Sequence, residues 1–273
     1  MQDKAPAPAG IEASVLIEER RGAVALLTLN RPAQRNSLSE ALIAALQQAI
    51  DRLSAASDVA AVVIASQGPA FSSGHDLKEM TARRADADGG RAYFAHLMDR
   101  CAGMMLSILR SPKPFIAAVE GVASAAGCQL VATCDLAVAG AEARFTTPGV
   151  NIGLFCSTPM VALTRKVPPA VAFEMLTTGE FLDAARAREV GLVNRIADPA
   201  DLDTATQALA ATLAAKLTSA LRIGKAAFYQ QADLGLAAAY AQTGAVMVAN
   251  MLDRDTDEGI TAFLEKRRPD WSD

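Results

Sequence analysis

The residues best placed to do chemistry lie in residues 114–139, PFIAAVEGVASAAGCQLVATCDLAVA. Residues 115–119 and 136–139 are short apolar runs of the kind that forms buried strands. Between them Gly121, Ala123, Ser124, Ala125, Ala126 and Gly127 keep bulk away from the turn. A helix is predicted to start at about Ala126 and to carry Gln129, Leu130 and Val131. The first N–H groups of a helix have no partner within it and lie at the positive end of its dipole. A turn this bare lets an oxygen that is gaining negative charge approach those groups, so the stretch reads as an oxyanion site.

A second stretch of the same character, PAFSSGHDLKEM at 69–80, follows the apolar run 60–65. Ser72, Ser73 and Gly74 bend the chain there, and Asp76 can cap a helix over 77–81. A Ser72-His75-Asp76 triad is geometrically poor, because adjacent side chains diverge. His75 titrates near neutrality by residue type, which makes it a candidate acid or base, or else a loop and packing residue. Cys156, within GLFCSTP at 153–159, is a candidate nucleophile set against the usual inertness of a buried thiol. Glu79 reads as a surface carboxylate one turn into its helix.

The chain has 273 residues, half of them hydrophobic, enough for a sizeable core. Its net charge is −4, and no dense Lys/Arg cluster with interleaved aromatics occurs, so nucleic acid is not expected as a partner. Lys266-Arg267-Arg268 is either the charged last turn of a helix or a phosphate contact. Cys101, Cys128, Cys134 and Cys156 form no Cys-x-x-Cys pair, and with two histidines they do not resemble a metal or cluster site; they read as reduced thiols. Residues 1–13 read as a flexible arm, with neither signal peptide nor membrane span and too few arginines for a transit peptide. The expectation is a cytoplasmic protein without a membrane partner.

Residues 23–30 form a strand, and Ser37 with Glu40 makes a capping box before a helical pattern on Leu42, Ile43, Leu46, Ile50 and Leu53. A strand at 62–65 and a long helix at 93–110 follow, the latter with an apolar face on Phe94, Leu97, Cys101, Met105 and Ile108. Strands alternating with helices indicate an α/β fold. Beyond an extended piece at 143–147 and a loop at 148–153, short helices are expected at 158–166, 170–177 and 184–190. Past residue 199 the pattern turns to Ala-rich helices. The expected organisation is an arm at 1–13, an α/β core at 14–199 and a helical region at 200–273. No G-x-G-x-x-G or G-x-x-x-x-G-K-[ST] run is present.

Phe71-Ser72-Ser73-Gly74-His75-Asp76-Leu77-Lys78-Glu79, followed by Gly127-Cys128-Gln129-Leu130 and Cys134-Asp135, resembles the crotonase superfamily, also called the enoyl-CoA hydratase/isomerase family. The resemblance runs from Leu29-Asn30-Arg31-Pro32 to the segment at 258–267, nearly the whole chain, with its signals in the expected order. Thr147-Pro148-Gly149-Val150-Asn151 and the run at 153–159 are closer still to the subgroup called enoyl-CoA hydratase domain-containing protein 3. The resemblance implies a crotonase-type ββα spiral core followed by a helical C-terminal trimerisation region, in homotrimers or hexamers. It implies an acyl-CoA thioester as substrate, with coenzyme A as part of that substrate and no other cofactor. The thioester oxygen would sit between the backbone N–H groups of His75 and Ala126. Ser73, His75, Asp76, Leu77 and Lys78 match the loop around the adenine and pantetheine, and Arg35 matches a basic side chain often found there. Phe263 and Lys266 match the C-terminal helix that reaches the CoA of a neighbouring subunit. The plain alternatives are solvated charge for Lys78 and Arg35 and ordinary core for Phe263. Asp135 matches a position that is usually structural.

Hydratases of this family add water with two glutamates, and the matching positions here hold Gln129 and Gly149. An amide donates and accepts hydrogen bonds but does not titrate. General acid/base groups are worth about a hundredfold to ten-thousandfold each, so standard hydration is expected to be weak or absent. Isomerases keep the later glutamate and are disfavoured too. Three readings stay open: another enolate chemistry such as thioester hydrolysis or decarboxylation, a non-catalytic acyl-CoA-binding protein, and a hydratase in which Glu79 or another carboxylate serves.

Overall fold

The computed structural model describes residues 14–271; the flexible arm expected at 1–13 lies outside the described residues. The described strands are β1 (Leu16–Arg21), β2 (Val24–Leu29), β3 (Ala61–Ser66), β4 (Ala70–Ser72), β5 (Phe115–Val119), β6 (Val122–Ser124), β7 (Leu136–Gly140), β8 (Arg144–Thr146), β9 (Leu182–Asp183) and β10 (Arg195–Ala197). They divide between two sheets, one in the order β1-β2-β3-β5-β7-β10 and one in the order β4-β6-β8-β9. The division is regular. In each pair β3/β4, β5/β6 and β7/β8 the first strand joins the large sheet and the second the small one, and this alternation is the strand, strand, helix spiral. β5 is buried at every residue and has parallel neighbours on both sides, which is why it reads as a continuous apolar run.

The turn from β5 to β6 is possible only with glycine. Gly121 has φ +66°, and a Cβ there would lie 2.2 Å from the Pro69 carbonyl oxygen.

Eleven α-helices are described: α1 (Glu40–Ala55), α2 (Leu77–Ala82), α3 (Arg91–Arg110), α4 (Ala126–Thr133), α5 (Ser157–Leu163), α6 (Pro169–Thr178), α7 (Ala184–Glu189), α8 (Leu202–Ala214), α9 (Thr218–Gln231), α10 (Leu236–Met251) and α11 (Arg254–Leu264). The apolar stripes of α1 and α3 share one cluster with the large sheet, joining Leu42, Leu46, Ile50 and Leu53 to Leu97, Cys101 and Ile108. Burial of each such leucine contributes about 1.5–3 kcal/mol. The other face of the sheet is covered by α8, whose Leu202, Leu209 and Ala210 meet Val63, Ile116 and Val138. The composition shift near residue 200 thus falls at the start of a helix that packs on the sheet.

The helix α9 is pinned to the core by a buried ammonium. Lys225 Nζ donates to the carbonyls of Ile108 and Lys113 (2.8 Å each) and to Asp135 Oδ2 (2.7 Å). Tyr229 donates to the other carboxylate oxygen (2.8 Å), and Asp135 also accepts the Phe115 N–H (2.6 Å). Burial pulls the Lys225 pKa down, and the Asp135 carboxylate offsets part of that. Asp135 is therefore a structural brace. Beyond it α10 packs on α9 and α11 on α10, leaving Leu236, Tyr240, Leu252 and Phe263 exposed.

Three local features differ from the sequence reading. Ser39, not Ser37, caps α1 by accepting the Leu42 N–H (3.2 Å), while Ser37 Oγ donates to Asp76 (2.9 Å). The strand β1 was not expected; it pairs antiparallel with β2 through a turn at Gly22, and Glu18-Glu19-Arg20-Arg21 has none of the apolar alternation that marks a strand. Charge of this kind suits a sheet edge. At the other edge β10 has only three residues, too short for a periodic signal.

Candidate functional site

Two turns, each leaving a strand of the small sheet, build the site. After β4 the chain reaches Gly74 and forms an isolated parallel bridge between Leu38 and His75. The Leu38 N–H donates to the Gly74 carbonyl (2.7 Å), and the Asp76 N–H donates to the Leu38 carbonyl (3.3 Å). In such a ladder the residue between those two partners turns its own N–H to the opposite side, so the His75 N–H faces away from Leu38. After β6 the Ala125 N–H donates to the Thr146 carbonyl (2.9 Å), and α4 begins at Ala126, where the sequence placed it. Among the described residues neither the His75 N–H nor the Ala126 N–H has an acceptor.

The residue before each of these N–H groups has a positive φ, +89° at Gly74 and +48° at Ala125. The turns are in contact: a Cβ at Gly74 would lie 2.9 Å from the Ala125 Cβ and 3.2 Å from the Ala126 nitrogen. A Cβ at Gly127 would lie 2.4 Å from the Ser72 carbonyl oxygen, so only glycine lets the first turn of α4 rest on β4. Small residues here bring two unpaired donors from distant parts of the sequence side by side.

The first turn is braced from behind. Asp76 caps α2 by accepting the N–H groups of Lys78 (3.1 Å) and Glu79 (3.4 Å), and its other oxygen accepts from Arg31 (3.1 Å) and Ser37. Burial alone would raise the Asp76 pKa; Ser37, Arg31 and the two amides outweigh it and hold the carboxyl below its ordinary value. Asn36, fully buried and at φ +51°, accepts the Arg31 N–H and donates to the carbonyls of Gln67 and Ala70. Sequence reasoning missed Asn36, although asparagine is among the few residues that take this conformation readily. Arg35 is exposed and its carbonyl accepts the Ser73 N–H (3.0 Å), so its backbone borders the loop. Leu77 and Lys78 are exposed in the first turn of α2, directly after the loop.

His75 is a packed residue here. Both ring nitrogens are sealed from solvent with no hydrogen-bond partner, and burial pushes the imidazole below its ordinary pKa. It is neutral at pH 7. Glu79 accepts the Glu40 N–H at the start of α1 (3.0 Å), a structural task. Burial also pushes the Cys156 thiol up, which keeps it protonated and poorly nucleophilic. The thiols of Cys101, Cys128 and Cys134 are pushed up to about 12.

Gln129 and Gly149 differ in kind. Gln129 lies one turn beyond Ala126, is 5% exposed, and its Oε1 has no partner. Gly149 has no free space: a Cβ there would lie 2.8 Å from the Leu154 carbonyl oxygen and 2.9 Å from the Cys156 sulfur. Phe263 is 81% exposed on α11, and Lys266 lies just past that helix; neither is drawn to the two turns by packing within the chain. In the basic tail Arg267 is engaged by Glu258 (2.6 Å) and Glu265 (2.7 Å).

Among the described residues no helix is long and apolar enough to cross a membrane. The family model described as enoyl-CoA hydratase/isomerase matches residues 19–273. The chain is 46% identical over 246 residues to the Homo sapiens enoyl-CoA hydratase domain-containing protein 3, named as mitochondrial, covering 90% of this chain and 80% of that one. It is 36% identical to the 2,3-dehydroadipyl-CoA hydratase of Escherichia coli, covering 94% of this chain and 98% of the relative. Among solved structures, a Mycobacterium smegmatis enoyl-CoA hydratase superposes with a TM-score of 0.90 at 50% identity, covering 95% and 99% of the two chains. The human domain-containing protein 3 superposes with a TM-score of 0.90 at 44% identity, covering 94% and 100%. With the alternating two-sheet spiral and the paired turns, these likenesses show that the chain belongs to the enoyl-CoA hydratase/isomerase family, the crotonase superfamily.

Proposed function

We propose that this protein binds an acyl-CoA thioester with its carbonyl oxygen between the N–H groups of His75 and Ala126, which stabilise an enolate-like intermediate. The observation that carries this reading is the pair of unpaired backbone donors on two touching turns. Removing one such donor typically costs on the order of a hundredfold to a thousandfold in rate. Arg35, Ser73, Asp76, Leu77 and Lys78 border the coenzyme, with Asp76 acting by holding the loop. The coenzyme is part of the substrate, and no other cofactor enters the reading.

Standard hydration is weak or absent in this proposal. Gln129 cannot transfer a proton, and the backbone around Gly149 leaves no place for a carboxylate. A second reading, acyl-CoA binding without turnover, is favoured by the same absence of a titrating group at both positions. The core at 14–199 carries the site, and the region at 200–273 serves assembly as a homotrimer or hexamer. The exposed apolar residues of α10 and α11 support that use, and Phe263 and Lys266 would then meet the CoA of a neighbouring subunit.

Mass spectrometry of crotonyl-CoA and a short acyl-CoA panel, incubated with the protein in heavy-oxygen water, tests these readings. The expected result is no labelled hydroxyacyl-CoA. Label in that product overturns the claim that Gln129 and Gly149 remove hydration, whereas label in a free acid identifies thioester hydrolysis. Turnover of none of them, with binding retained, leaves the second reading standing.

A further inference from the structure

We propose that Lys166 is a positioning residue for the oxyanion site: its ammonium, at the far end of α4, strengthens the hold of the Ala126 N–H on a negatively charged oxygen. This rests on the acyl-CoA reading above and adds a residue to it. The helix α4 runs from Ala126, where the unpaired N–H is presented, to its C-cap Cys134. The last carbonyls of a helix have no partner within it and carry partial negative charge. Lys166 Nζ donates to the carbonyls of Cys134 (2.9 Å) and Asp135 (3.0 Å), so it closes the C-terminal end of α4 from outside.

Charge pairing does not account for this ammonium. The nearby Asp135 carboxylate is taken by Lys225, Tyr229 and the Phe115 N–H, and among the described residues no carboxylate is ion-paired with Lys166. Two ammoniums around one carboxylate leave the cluster with surplus positive charge. Burial of a cation without a counter-ion is costly, and it pulls the Lys166 pKa down. What balances the surplus is the negative end of α4 and, beyond it, the anionic oxygen that forms at the other end. The eight residues of α4 rise about 12 Å, so with a hydrogen bond at each end the ammonium and that oxygen lie roughly 17 Å apart. Every residue of α4 is buried, so salt screens this path little. At an effective dielectric of about 20, a unit charge at that separation favours an anion about fivefold. A neutral thioester oxygen gains far less, so Lys166 favours the enolate over the thioester it comes from.

The probe is acetoacetyl-CoA, whose neutral keto form exchanges with an enolate of distinct ultraviolet absorbance. At saturation and one fixed pH, wild type should hold a larger enolate fraction than buffer does. Lys166→Met should lower the bound enolate-to-keto ratio about fivefold, while butyryl-CoA, which stays neutral, binds as tightly as to wild type. Lys166→Arg keeps the charge and should restore the wild-type ratio. Should the methionine variant not fold, Lys166→Gln, which keeps a donor and loses the charge, carries the same test. A structural role alone gives the opposite pattern, with both ligands weakened alike and the ratio unchanged. An unchanged ratio in the uncharged variant therefore overturns the proposal, as does a fall that Lys166→Arg fails to restore. Failure of wild type to bind either ester, or to raise the enolate fraction above that in buffer, overturns the acyl-CoA reading itself and this proposal with it.

Discussion

The turns at Gly74-His75 and Ala125-Ala126 perform one task with different residues. Each follows a strand of the small sheet, each needs a positive φ, and each then turns an unpaired N–H outward. Glycine reaches φ +89° at the first turn without steric conflict, whereas at the second an alanine is held at φ +48°, ψ −118°, a region sparsely populated by residues with a Cβ. The difference lies in contact. The Ala125 Cβ faces the space where a Gly74 Cβ would be, so only one of the two turns can carry a side chain there.

The largest effect is expected when that asymmetry is removed. Gly74→Ala places a methyl 2.9 Å from the Ala125 Cβ and forces a positive φ on alanine. Strain and overpacking together should destabilise the protein by about 2–4 kcal/mol in urea unfolding, with acyl-CoA binding weakened in parallel. A stable variant with unchanged binding would show that the contact between the turns does not position the donors. Next comes Gly149→Ala, where glycine serves packing and not a positive φ. The clash with the Leu154 carbonyl and the Cys156 sulfur should cost about 1–3 kcal/mol, and adding Cys156→Ala should return only the share due to sulfur. Full recovery in the double variant would mean that the Leu154 backbone yields freely.

The two donors also differ in side chain, and pH reads that difference. Burial holds the His75 imidazole below its ordinary pKa of 6.5, so the unfolded chain binds a proton first as pH falls. Its contribution to stability is present above about pH 6.5 and is lost as pH falls through the lowered folded value. Melting temperature followed from pH 8 to pH 5 should decline more steeply in the wild type than in His75→Gln. Parallel curves would place the ring in contact with water. The smallest effect is expected for Ala125→Gly, which relieves the strained alanine. The gain should be up to about 1 kcal/mol in denaturant unfolding. A loss of that size would show that the Ala125 methyl supports the neighbouring turn more than its backbone strain opposes it.

Both turns were legible in the sequence because they are local. Runs of small residues behind apolar strands mark Gly74 and Ala126, and Asp76 with Leu77 to Glu79 is a capping pattern that the structure keeps. The cap of α1 was misplaced by two residues because Ser37 and Ser39 are equally good by type. The choice fell to Asp76, which draws Ser37 Oγ, and to Glu79, which takes the Glu40 N–H. Lys225 and Tyr229 had no signal at all, since their meaning comes from Asp135, some ninety residues earlier in the chain.

By itself the sequence determined the alternation of strands and helices, the start of α4, and the family, through runs whose chemistry needs small residues at fixed spacing. It also determined that no carboxylate stands at 129 or 149. Only the tertiary structure decided why those positions differ, an amide oxygen sealed without a partner at one and no space beside the Leu154 carbonyl at the other. It also decided that the His75 ring lies buried without a hydrogen-bond partner while its backbone N–H is left unpaired. Local pattern depends on neighbours along the chain, whereas free space, burial and unpaired polar atoms depend on residues that meet only when the sheets are wound.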